Sequence, residues 1–300
     1  MPLFHPFFPL SAFLFVFLFC SSVTAQEAPA TSAPRLVTVD WTIAETLIEL
    51  GAPPVGLAQT ASYRNWVRAP ELPSGVIDIG LRSQPNRELL MQLKPDQILI
   101  SPMFSTLEPV LSSIAPVTSI PMYQPGGDVW EHLYQATRRI ASVAGRPEKG
   151  DQLLTGLETY LSSLTTCFKK ENQQLLVVQF IDDRHMRIYG KQSLFDAVIT
   201  RMGLSNAWQE ETNYWGFSTI AIERLAKYHY AQLVIVEPLP VGVLKQLSQS
   251  KIWSALPVVQ QKNYVYLPPV WSFGGIASAR RFASELAKAL LQDRSVPCEG

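Results

Sequence analysis

Cysteine is scarce in this 300-residue chain, with three residues in all, Cys20, Cys167 and Cys298. The two that come after residue 25 are too few for a disulfide framework. Two unpaired thiols is the reading taken for Cys167 and Cys298, with one bridge, which an oxidising compartment permits, as the alternative. Neither sign of charge is in excess, since 25 basic side chains balance 25 acidic ones. With no Lys/Arg run either, the chain lacks the electrostatic footprint of a nucleic-acid binder or of an acidic-membrane binder. Histidine is sparse. His5, His132, His185 and His229 are isolated, and none has a Cys, His or carboxylate at metal-ligand spacing, so no metal site is expected. His185, just after Asp182-Asp183, reads as a satisfied turn residue. Phosphate-cradling glycine loops, a dinucleotide fingerprint and the G-x-S-x-G elbow are all missing. Without an activated nucleophile, a secreted α/β hydrolase is a remote alternative, and the chain is read as no enzyme. After residue 25 no apolar run is long enough to span a bilayer.

The first 25 residues stand apart. They contain no Lys, Arg, Asp or Glu. The apolar run from Leu10 to Cys20, about eleven residues, suits a signal-peptide core and is short for a membrane span. Val23-Thr24-Ala25 supplies small residues for cleavage before Gln26. Residues 1–25 therefore read as a cleaved signal peptide for secretion, and 26–34 as a mobile Pro/Ala-rich leader. Phe19 is bulky where lipid attachment at Cys20 would require a small residue.

Order begins at Arg35–Val39, an apolar strand. Thr42 and Glu45 have the spacing of a capping box for a helix from Ile43 to Leu50, which stops at Gly51 before Pro53-Pro54. Strand-like runs recur near Val55, Val76, Gln97 and Val117. Short apolar strands alternating with helices imply a parallel sheet covered on both faces. From Glu148 to Lys169 the leucines 153, 154, 157, 161 and 164 fall at helical spacing, which predicts one long helix. Beyond it, Gln174–Ile181, Met186–Tyr189, Leu233–Val236 and Tyr264–Leu267 read as strands. Ser193–Met202, Ile220–Tyr228, Lys251–Leu256 and Ala277–Leu291 read as helices. The expected class is α/β, two parallel-sheet-containing lobes joined by one long helix. The expected divisions are 35–146 for the first lobe, 147–170 for the connecting helix, 171–294 for the second lobe and 295–300 for a tail.

One stretch fits neither period. Ala207–Tyr228 gathers Trp208, Tyr214, Trp215 and Phe217 among Gln, Glu, Thr and Asn. Core segments space their rings at period 2 or 3.6. Loop-borne Trp and Tyr offer a large apolar face with a polar handle, as ligand contacts do. A loop folded back to plug a satellite core is the competing reading.

Four segments, 60–96, 180–190, 206–228 and 268–275, together resemble the periplasmic substrate-binding proteins of ABC importers, class III. Within that class they are similar to the ferric-hydroxamate (ferrichrome) binding proteins. The resemblance extends over nearly all of 35–290. It implies two lobes on one helix, a ferric siderophore as ligand with no cofactor and no metal bound by the protein itself, and an ABC permease dimer in the inner membrane as partner. It also implies a monomer.

Residue by residue, the resemblance implies that Arg82 contacts the chelating oxygens around iron. It places Trp66, Trp215 and Trp271 among the aromatics of the cleft, with Tyr214 beside Trp215. The chain departs from the family pattern at Phe104 and Phe273, where the family has tyrosines, and at Arg68, where it has a smaller residue. Those departures leave the particular siderophore open. With Arg64, Arg68 and Arg82 close in sequence, a catecholate stays an alternative, as do haem and a cobalamin. Glu223 matches an acidic position used to dock on the permease. Glu108 lies one residue from the corresponding position on the first lobe. A single connecting helix also implies small lobe movement on binding.

Overall fold

Short runs of Val, Ile and Leu become parallel strands because both faces of each sheet are covered by helices. The computed structural model describes residues 1–3, 33–168 and 173–291. The chain divides into residues 1–32 and 33–300, and both main sheets belong to the second. Residues 4–25 of the expected signal peptide, its cleavage site, Cys20, Cys298 and the 295–300 tail lie outside the described residues.

The first sheet has five strands in the order Ile77–Asp78, Gly56–Leu57, Leu36–Thr38, Gln97–Ile100, Val117–Ser119. Every pairing in it is parallel. The second runs Phe217–Ala221, His185–Tyr189, Gln174–Phe180, Gln232–Val236, Tyr264–Leu267. Its last three strands are parallel, and its first two are antiparallel. The 22-residue helix Pro147–Phe168 joins the two halves, and at 1.5 Å per residue it is about 33 Å long.

That helix buries Leu154, Leu157, Leu161, Leu164 and Phe168. Each such side chain contributes roughly 1.5–3 kcal/mol, well beyond the cost of about 1 kcal/mol for the helical Gly156. The same apolar cluster takes in Leu36, Ile43 and Leu99 of the first half and Val177, Phe195 and Phe282 of the second. One continuous core therefore crosses from lobe to lobe through the helix. The far faces of the two sheets carry separate clusters.

Four expectations are corrected by the structure. The first helix is Trp41–Glu49, capped by Asp40, whose carboxylate accepts from the Thr42 backbone N–H. Thr42 is thus inside the helix, and Glu45 reaches the second lobe instead of closing a capping box. Ile220–Tyr228 is not an α-helix. Phe217–Ala221 extends the second sheet as its edge strand, and a 3₁₀ helix comes next over Ile222–Tyr228. Ile220 pairs with Met186 there, so its burial has sheet rather than helix periodicity. Trp208 is 2 % exposed and belongs to the second lobe's core, so the ring cluster divides, with Trp208 as filling and the others outside. Cys167 is disulfide-bonded, which overturns two free thiols. Its partner lies outside the described residues.

Candidate ligand-binding cleft

Residues that leave a parallel sheet at the carboxyl ends of its strands converge on one crevice, the usual ligand position in open α/β sheets. The first sheet does this five times. Val39, Asp40 and Trp41 come after its central strand, and Ala58 after Gly56–Leu57. The Gly80–Leu81 turn and Arg82 come after Ile77–Asp78. Ser101 and Phe104 lie beyond Gln97–Ile100, and Met122 and Tyr123 beyond Val117–Ser119. The second lobe sends Pro269, Trp271 and Phe273 from beyond Tyr264–Leu267 toward the same place.

Arg82 sits at the centre. Its Nε–H donates to the Val39 carbonyl at 3.1 Å, which fixes the guanidinium plane. The guanidinium carbon lies 4.4 Å from the Trp41 ring centre, 4.9 Å from Phe104 and 5.9 Å from Trp271. Trp41 is itself held by its indole N–H donating to the Ala58 carbonyl. Burial holds the Arg82 pKa below its usual value, and Asp40 opposes that shift. The group stays cationic at any physiological pH. Among the described residues Arg82 forms no ion pair. Its terminal amino groups donate no hydrogen bond there, Val39 being the only hydrogen-bond partner of the side chain among the described residues. A charged, planar, partly desolvated donor fixed in place and left with open valences is suited to paired oxygen acceptors.

The rings form a wall around it. Trp215 stacks on Tyr123 at 5.6 Å and meets Phe273 edge-on at 5.3 Å. Phe273 meets Trp271 at 5.4 Å, and Trp271 meets Trp66 at 6.5 Å. Tyr214 lies 5.0 Å from Trp215 and is 44 % exposed. Gly216, at φ +78°, makes the turn that presents this pair; a side chain there would put its Cβ 2.2 Å from the Ser193 nitrogen.

A seam of hydrogen bonds closes the lobes beneath the rings. Thr42 Oγ1 donates to the Phe273 carbonyl and accepts from the Trp271 indole. Tyr123 donates its hydroxyl to the Gly274 carbonyl at 2.7 Å. Burial first, then Glu45, pushes the Tyr123 pKa well above its usual value, which keeps this donor protonated. Glu45, fully buried, accepts from the Gly275 N–H and from Ser278 Oγ. Burial outweighs those bonds and pushes its carboxyl up to about 8. Gly274 permits the contact, since a Cβ there would lie 2.2 Å from Ser278.

Arg82, Trp215, Trp271 and Phe273 line one small cavity of about 30 Å³, room for about one water. Phe104 is 8 % exposed and meets the space through Arg82. Trp66 lines a second cavity of about 870 Å³ on the other side of the aromatic wall, with Arg64, Arg68, Gln179, Arg187 and Glu237. Glu108 and Glu223 are exposed, each in the first turn of a short helical segment, and neither lines either of these two cavities. A groove of about 1140 Å³ along Pro147–Phe168 and Ile276–Leu291 shares no residue with the cleft. Sequence reasoning passed over Trp41, Tyr123 and Arg187. Position after a strand end would have found the first two. Nothing local marks Arg187, which lies inside a strand.

The chain is similar in sequence and fold to known proteins. A family model described as periplasmic binding protein matches residues 36–270. The iron(3+)-hydroxamate-binding protein FhuD of Escherichia coli (strain K12) is 32 % identical over 269 residues, covering 89 % of this chain and 90 % of that protein. Among solved structures, the siderophore-binding protein FhuD of Vibrio cholerae bound to Fe³⁺–Desferal superposes with a TM-score of 0.82 at 29 % identity, over 87 % of this chain and 98 % of that one. The triscatecholate siderophore-binding protein FeuA of Bacillus subtilis reaches 0.70 at 18 % identity, over 88 % and 94 %, and shares the fold.

Proposed function

Because the chain belongs to the periplasmic binding protein family, we propose that it captures a ferric hydroxamate siderophore at Arg82 and delivers it to an inner-membrane ABC permease. The observation that carries this is the Arg82 guanidinium, fixed by Val39, stacked on Trp41 and left with unpartnered N–H donors. A tris-hydroxamate ferric complex is neutral overall, but its chelating oxygens hold most of the electron density. One planar cation among rings serves such a surface, each charge-assisted bond contributing about 1.5–3 kcal/mol. Trp215, Trp271 and Phe273 cover the chelate, with Phe104, Trp66 and Tyr214 around them.

The 30 Å³ beside Arg82 cannot hold a chelate. Entry therefore displaces rings, and Trp215 with the exposed Tyr214, carried on the Asn213–Gly216 turn, is the pair to move. The continuous core through the long helix opposes a wide hinge, so the lobes, 35–146 and 171–294 about the 147–170 helix, move little. Glu108 and Glu223 would dock the loaded protein on permease arginines, orienting it more than tightening it. Residues 1–25 direct secretion to the periplasm, where the protein acts as a monomeric binder rather than an enzyme. No helix among the described residues is long and apolar enough to cross a membrane.

Tryptophan fluorescence titration tests this reading. Ferrichrome-type complexes are expected to quench emission at micromolar concentration or below, with haem and cobalamin inert. Failure of every hydroxamate complex to bind, or tighter binding of a tris-catecholate, would overturn it.

A further inference from the structure

The larger cavity carries more positive charge than a neutral chelate needs. Arg64, Arg68 and Arg187 line it, against the single carboxylate Glu237. Among the described residues none of the three arginines forms an ion pair. A fourth, Arg281, lies behind them, bonded to the Pro269 carbonyl and paired with Glu285 at 3.8 Å. Burial holds its pKa down, and Arg68 adds to that shift while Glu285 opposes it, so Arg68 already faces a like charge.

Arg68 also has an unusual backbone. It comes after the Thr60–Trp66 helix at φ +65°, the left-handed position that favours glycine at a helix end. A side chain there costs on the order of 1 kcal/mol. A long cation occupies this costly position on the lip of the cavity. Arg64 has an ordinary explanation as a cation in a helix's last turn. Arg187 rises from the middle of a strand, beside the Tyr189 hydroxyl and over the rings of Phe217 and Phe273, 5.1 and 5.7 Å from their centres.

Phe273 belongs to both neighbourhoods. It lines the Arg82 cavity and underlies Arg187. A ligand seated on Arg82 and extending past Phe273 and Trp271 therefore enters the field of Arg187, Arg68 and Arg64.

Resting on the reading above, we infer that this second cavity is a specificity subsite for an anionic periphery. The preferred ligand is a ferric hydroxamate whose backbone bears a free carboxylate, not a neutral or cationic one. Arg187 and Arg68 are the residues that select it.

The test uses one chelating core and changes only the pendant charge. Ferrioxamine B carries a free amine, its N-acetyl derivative is uncharged there, and its N-succinyl derivative ends in a carboxylate. The expected order of affinity is succinyl, then acetyl, then amine. Succinyl and amine forms should differ by about tenfold at low ionic strength and by much less in 0.5 M salt. In the R64A/R68A/R187A protein the succinyl-to-amine ratio falls toward one. Should that protein not fold, Arg68→Gly, which suits the left-handed backbone, carries the test with a fall of about threefold in the ratio. Equal affinity for all three chelates, or a ratio unmoved by these substitutions, overturns the subsite while leaving capture of ferric hydroxamates intact. Binding of none sinks both.

Discussion

Arg82→Ala is expected to weaken ferric hydroxamate binding by at least about a hundredfold, because two charge-assisted bonds at roughly 1.5–3 kcal/mol each leave together. Arg82→Lys should recover only part of the loss. An ammonium is a point charge without the planar fork, and it cannot both hold the Val39 carbonyl and face two oxygens as the guanidinium does. The fold should survive, since Arg82 is half-buried at a turn and outside every apolar cluster. A melting midpoint within about 4 °C of the parent is expected. Isothermal titration of both variants with one ferric hydroxamate checks this. Normal affinity in Arg82→Ala would remove the guanidinium from the site.

The second large effect concerns pH. Glu45 links the first helix to Gly275 and Ser278 while wholly buried, and its carboxyl is pushed from a usual value of 4.5 up to about 8. Below 4.5 the folded and unfolded chains both hold this proton, and Glu45 adds no pH dependence. Between 4.5 and about 8 the folded chain binds one proton that the unfolded chain has released. Stability therefore falls as pH rises, by about 1.4 kcal/mol per pH step of one. Above 8 the loss is complete. Across the window this amounts to a few kcal/mol. Glu45→Gln keeps the shape and an acceptor for the Gly275 N–H but cannot ionise. Its advantage over the parent in urea unfolding should grow from pH 5 to pH 8. Parallel pH profiles for the two proteins would show that Glu45 does not carry the shift.

How much could be read from the chain depends on how local each signal is. The strands at 97–100, 174–180, 232–236 and 264–267 are apolar runs, and they formed where expected. Leucines at spacings of three and four gave the connecting helix to within a residue or two. Ile220, Leu225 and Tyr228 would share one helical face only by coincidence, because strand and 3₁₀ segments meet between them. The seam was not legible. Glu45 and Ser278 are 233 residues apart, as Tyr123 and Gly274 are 151 apart, and no local pattern announces such a pairing. Glu45 in particular looks like a capping residue until the second lobe is in view. Arg82 carries no local mark of its role either. Only the resemblance of segment 60–96 to the family points to it, and only the structure places Trp41 beneath it. The excess of arginine on the second cavity needed both lobes, since Arg187 reaches it from the opposite sheet.

The most direct measurement is the position of iron in a co-crystal with a ferric hydroxamate, located by its anomalous scattering. That peak is expected beside the Arg82 guanidinium, between Trp215 and Trp271, with the loop rings displaced from Tyr123. A peak in the groove along Pro147–Phe168 and Ile276–Leu291, or bound chelate with its iron away from Arg82, would contradict it.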